Sequence, residues 1–135
     1  MKIKMTKNEM NMQKVLNGED INVQLPNEFG EHYLEKNWTR YSKEEQLMIR
    51  KWVRFMFNPR KYINYDRTSY GLKHACESDV DFYVHNDAMK KAFLLEGYKA
   101  ETSKINWCFN ISGKPTLKKS EKFKEVFAEE IEKLK

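Results

Sequence analysis

Few side chains in this chain have the type and spacing for covalent or metal chemistry. His74 and Cys76 stand two apart in a stretch that reads as helix, so their side chains diverge, and with His85 and Cys108 they match no zinc spacing. Asp79 and Asp81 offer the paired carboxylates a metal-dependent nuclease needs, but no neighbouring histidine, third acid or phosphate loop accompanies them. A solvated acidic turn accounts for them. Ser69 lies near His74 without a nucleophile elbow or oxyanion-hole motif, and helix capping explains the serine. These patterns predict no catalytic residue, no metal site and no cofactor, and therefore a protein that is not an enzyme.

Cations interleaved with aromatic rings carry a different chemistry. Arg50, Lys51, Trp52, Arg54, Arg60, Lys61, Tyr62, Tyr65, Arg67, Tyr70 and Lys73 form such a run, and stacking rings beside cations is what an unpaired nucleic-acid strand requires. Residues 42–75 hold eight basic and three acidic side chains, a net of +5, and residues 98–119 hold five and one, a net of +4. Between them, residues 76–97 hold two basic and five acidic side chains, a net of −3. The expected phosphate- and base-contacting set is Arg50, Lys51, Arg54, Arg60, Lys61, Tyr62, Tyr65, Arg67, Lys73, Asn86, Lys90, Lys99 and Lys104, with DNA or RNA as partner.

The elements that must position these residues follow from periodicity. Thr6 and Glu9 have the spacing of a helix start that Gly18 stops, and a second short helix is predicted from Asn27 to Lys36. Ser42 and Glu45 repeat the capping spacing and open a helix to about Phe57, with Ile49, Trp52, Val53 and Met56 as its core stripe and the cations largely off it. Residues 60–67 read as a loop, and Thr68 or Ser69 caps a helix to about Cys76. An acidic turn over 77–81 follows, then a helix capped by Asn86 and ended by Gly97. Ile105, Trp107, Phe109 and Ile111 alternate with polar residues as a strand with one buried face, pairing with Tyr98–Glu101 as a hairpin. Ser120 is expected to cap a final helix whose Phe123, Phe127, Ile131 and Leu134 dock on the domain, or serve as a homodimer seam.

The 135 residues suit one core, and 40% hydrophobic and 13% aromatic content argues against disorder despite 33% charged residues. The expected class is α+β, mostly α, in a single domain: an N-terminal helical extension over 1–41, a winged-helix-like core over 42–113, and a connector with an amphipathic helix over 114–135. Three helices followed by a two-stranded hairpin is the element order of a winged helix-turn-helix, with residues 86–96 at the recognition position. The acidic block is awkward there, because Glu77, Asp79, Asp81 and Asp87 would be repelled by a duplex. No apolar run reaches the roughly 18 residues that cross a bilayer, no signal-peptide pattern opens the chain, and two cysteines suit a reducing compartment, so no membrane and a cytoplasmic location are expected.

The segments Thr68-Ser69-Tyr70-Gly71-Leu72-Lys73-His74, Tyr83-Val84-His85-Asn86, Gly97-Tyr98 and Asn106-Trp107-Cys108-Phe109-Asn110 resemble small proteins carried by phages and other mobile genetic elements of Gram-positive bacteria. The resemblance spans roughly residues 60 to 113. It implies a protein that acts by binding inside a bacterial host cell: a nucleic-acid-binding accessory protein of the element, or alternatively an anti-CRISPR-like inhibitor of host defence. The inhibitor would use Glu77, Asp79, Asp81 and Asp87 as a protein interface against a host nuclease or its nucleoprotein complex.

Overall fold

The computed structural model describes residues 31–113 and 115–135. The helix predicted from Thr6 to Gly18 lies outside them, as does the start of the one predicted at Asn27. Helix α1 (Glu31–Trp38) ends two residues later than its predicted limit and buries Leu34 and Trp38, four apart on one face. Helix α2 (Lys43–Met56) starts on the predicted capping box: the Ser42 hydroxyl accepts from the Glu45 amide at 3.1 Å, and the Glu45 carboxylate accepts from the Ser42 amide at 2.9 Å. Its stripe of Ile49, Trp52, Val53 and Met56 is fully buried.

The predicted loop after α2 is instead strand β1 (Asn58–Asn64). Sequence pattern missed it because the strand is irregular and almost wholly exposed, so it lacks the apolar alternation that marks a half-buried strand. Helix α3 (Ser69–Val80) begins on Thr68 as predicted but absorbs most of the supposed acidic turn. It ends at Asp81, whose left-handed φ of 65° is tolerated by an aspartate. Helix α4 (Asn86–Leu95) is capped by His85 rather than Asn86, its Nδ1 accepting from the Asp87 amide at 3.0 Å, and Gly97 at φ +85° turns the chain out of it.

Strands β2 (Ala100–Glu101) and β3 (Cys108–Ser112) form the hairpin, shorter than predicted because Ile105 sits exposed in the turn. All three strands are antiparallel in the order β1-β3-β2, so the sheet has one strand more than the sequence reading. The class is α+β with helix predominant, as expected. Phe109 and Ile111 point from β3 into the core, where Phe109 stacks on Phe93 of α4 with centroids 4.4 Å apart and rings 11° from parallel.

Helices α5 (Leu117–Val126) and α6 (Ala128–Lys133) follow; the cap of α5 is Thr116, one turn before the predicted Ser120. Phe123, Phe127 and Ile131 are buried in this chain's own core, with Phe55 set edge-on to both phenylalanines at 5.5 and 6.1 Å.

Candidate nucleic-acid interface

The expected binding residues divide into two groups that the fold treats oppositely. The first group is buried in the helical body and held there by carboxylates or aromatic rings. Arg50 and Arg54 both reach Glu96 Oε2 beyond the end of α4, Arg50 at 3.4 Å, and the Glu96 side chain is 1% exposed. Burial, with the nearby Glu96 carboxylate adding to it, pushes the Tyr98 phenol far up. Lys51 lies over the Phe127 ring at 5.5 Å, and burial pulls its ammonium pKa down against the attraction of Glu130. Lys73 pairs with Glu77 at 3.3 Å between the rings of Tyr83 and Tyr70, and Lys90 pairs with Asp87 at 3.4 Å over the Trp107 ring.

The acidic side chains are held in the same way. Asp79 is buried and accepts from Trp52 Nε1 at 2.8 Å and from the Ser120 hydroxyl, with Lys124 at 3.9 Å. Glu77 accepts from the Val84 amide, His74 and Lys73. Burial raises its carboxyl, yet these three partners together leave it below the usual carboxylate range. Asp81 meets Lys135 at 2.8 Å, and Asp87 accepts from Asn37 at 2.9 Å. Of the residues weighed for metal chemistry, Cys76 is fully buried, which drives its thiol well above its ordinary value, while His74 is exposed.

The second group lies on the sheet and its hairpin. Pro59 cannot donate to a ladder and so suits β1, the edge strand. Between the pairs Pro59–Ile111 and Asn64–Phe109, β1 carries four residues, Arg60 to Ile63, against Asn110 alone on β3, and the excess must bulge outward. Arg60 closes this bulge: its Nε donates to the Tyr62 carbonyl at 2.9 Å and a terminal nitrogen donates to the Ile63 carbonyl at 3.2 Å. Asn110 fixes it to the rest of the sheet, donating to the Arg60 carbonyl at 2.9 Å and accepting from the Lys99 amide at 2.6 Å. One buried asparagine thus joins the backbones that carry Arg60 and Lys99.

Beyond the bulge the chain runs antiparallel to β3, so Tyr65 and Arg67 lie toward the end of the sheet where the hairpin turns and Lys104 is exposed. Two hydrogen bonds between Ser69 and Trp107, at 2.7 and 3.0 Å, and one between Asn86 and Asn106, at 3.0 Å, draw the starts of α3 and α4 to that same end. Tyr62 and Tyr65 are 69% and 68% exposed, and Lys61 lies over Tyr62 at 5.3 Å. Among the described residues, Arg60, Lys61, Arg67, Lys99 and Lys104 make no ion pair with a carboxylate.

Of the sequence-derived set, the structure therefore leaves Arg60, Lys61, Tyr62, Tyr65, Arg67, Lys99 and Lys104 on the sheet, its hairpin and the turn after β1, with Asn86 bonded at the hairpin end. It withdraws Arg50, Lys51, Arg54, Lys73 and Lys90 into the body. Two organising residues escaped sequence reasoning, Asn110 and Glu96. A polar residue at the centre of the predicted strand was a usable signal for the first; for the second, only distant contacts reveal the role. Among the described residues no helix is long and apolar enough to cross a membrane. Compared with models of known families, with curated proteins and with solved structures, the chain shows no match.

Proposed function

We propose that this is a non-enzymatic nucleic-acid-binding accessory protein with a winged-helix-like core, which contacts phosphates through the ridge formed by β1, Arg67 and the β2–β3 hairpin. The observation that carries the reading is the set of five basic side chains there without carboxylate partners among the described residues, beside two exposed tyrosines, whereas Arg50, Arg54, Lys73 and Lys90 are each held by a carboxylate of the chain itself. The order helix, strand, helix, helix, hairpin, with β1 closing the sheet on the far side of β3, supports the winged-helix reading, in which the turn over residues 102–107 corresponds to the wing. The resemblance over residues 60 to 113 supports a phage or mobile element as the setting. The inhibitor alternative has weaker support, because Glu77, Asp79, Asp81 and Asp87 are each held by groups of the chain itself.

The test is affinity for labelled DNA and RNA oligonucleotides at low and moderate salt. Binding is expected to weaken steeply with salt, and Lys61→Ala, Lys99→Ala and Lys104→Ala are each expected to reduce the slope of log affinity against log salt by about 1. Absence of binding at low salt, or a slope untouched in all three variants, overturns the reading.

A further inference from the structure

We infer that the nucleic acid seated on this ridge is an unpaired strand, with bases stacked on Tyr62 and Tyr65 and its phosphates on Lys61, Arg67 and Lys99. The inference rests on the nucleic-acid reading above and narrows it.

The first argument concerns the helix that would have to read a duplex. A recognition helix enters the major groove with side chains projecting from an open face. Helix α4 has no such face, since every residue from Ala88 to Leu94 is buried. Its inner side packs on the sheet through Phe93, and α1 lies along it, with Lys91 paired to Glu35 at 2.8 Å and Asp87 bound by Asn37. Lys90 is closed in by Asp87 and Trp107. Leu34 and Trp38 of α1 are themselves part of the core, so α1 is not a loosely attached cover.

The second argument concerns the tyrosines. The rings of Tyr62 and Tyr65, three residues apart, stack on no other ring of the described chain, and Tyr62 is accompanied only by the ammonium of Lys61. Tyr70 and Tyr83 are exposed too, but they flank Lys73, whose charge Glu77 neutralises. On the ridge, open rings stand with cations that meet no carboxylate among the described residues, and that pairing is what binds single strands irrespective of sequence. The bulge that carries Tyr62 is already fixed by Arg60 and Asn110, which lowers the ordering cost on binding.

The experiment measures anisotropy of labelled oligo-dT and oligo-rU of about 12 nucleotides and of a blunt duplex of the same length, with the full chain at low salt. Both single strands, or one of them, are expected to bind about tenfold tighter than the duplex or better. Replacing both Tyr62 and Tyr65 by Ala is expected to lower single-strand affinity by about 10- to 100-fold and leave duplex affinity within about twofold. Because both side chains are exposed, an unchanged thermal melt certifies the fold of the variant. Equal or tighter duplex binding, or a double variant that still holds the single strands at parental affinity, overturns this inference and leaves the broader reading intact. No binding of any oligonucleotide overturns both.

Discussion

Helix α2 and strand β1 are consecutive, both rich in basic residues, and treated in opposite ways by the fold. On α2 the cations Arg50, Lys51 and Arg54 are buried against Glu96 and Phe127. On β1 and the turn after it, Lys61 and Arg67 meet no carboxylate among the described residues, and Arg60 turns its guanidinium onto main-chain carbonyls to shape the bulge. The difference teaches that a segment's charge count does not report its availability. The carboxylate shared by Arg50 and Arg54 comes from residue 96, more than 40 positions away in sequence, and among the described residues no carboxylate pairs with the cations of β1. A basic helix packed in a body must import its counter-charge, because an unpaired buried guanidinium costs several kcal/mol.

Breaking the body's side of this contrast gives the largest expected effect. Glu96→Ala leaves two guanidinium groups buried without their shared carboxylate and should cost about 3–5 kcal/mol, read as a lower denaturant midpoint with little change in slope. Next comes Asp79→Ala, which strips an acceptor from Trp52 and Ser120 at once and should cost about 1–3 kcal/mol, with a shift in tryptophan emission if the indole loses its carboxylate partner.

A change of opposite sign sharpens the comparison. Lys51→Met removes a charge whose ammonium form burial disfavours, and should raise stability by about 1 kcal/mol without altering oligonucleotide affinity; Lys61→Ala should leave stability within about 0.5 kcal/mol while weakening binding. Paired melts and binding titrations of the two variants check this, and an affinity loss in Lys51→Met would erase the distinction between helix and strand.

The smallest effect is pH-dependent. The Glu77 carboxyl lies below its ordinary value of 4.5, so its contribution is complete above that pH and fades as pH falls through the lowered value. Glu77→Gln should therefore be less stable than the parent near neutrality by under about 1 kcal/mol, because the site is partly open to solvent, and the gap should close in acid. Melts across pH 3 to 7 would show it; a gap constant with pH would assign the effect to packing instead of charge.

Local signals in the sequence were sufficient for α2 and the start of α3, while the caps of α4 and α5 fell one residue and one turn earlier than predicted. The Ser42–Glu45 box, the Thr68 cap, the Gly97 stop and the apolar stripe of α2 are short-range features whose energetics involve neighbours within one or two turns, and the structure repeats them. The cation–tyrosine run of residues 60–67 was legible for the same reason. Strand β1 was not, because its existence depends on β3, about 50 residues later, accepting a bulged partner at its edge.

By itself, then, the sequence determined the α+β class, the starts of α2 and α3 and the composition of the charged blocks. Only the tertiary structure decided which charges meet. Ion pairs such as Arg54–Glu96 and Lys91–Glu35 join elements far apart in the chain, and they form because burial makes an unpartnered charge costly. That requirement acts only once the core has assembled, and it stops at the sheet edge, where solvent still hydrates Lys61 and Lys99.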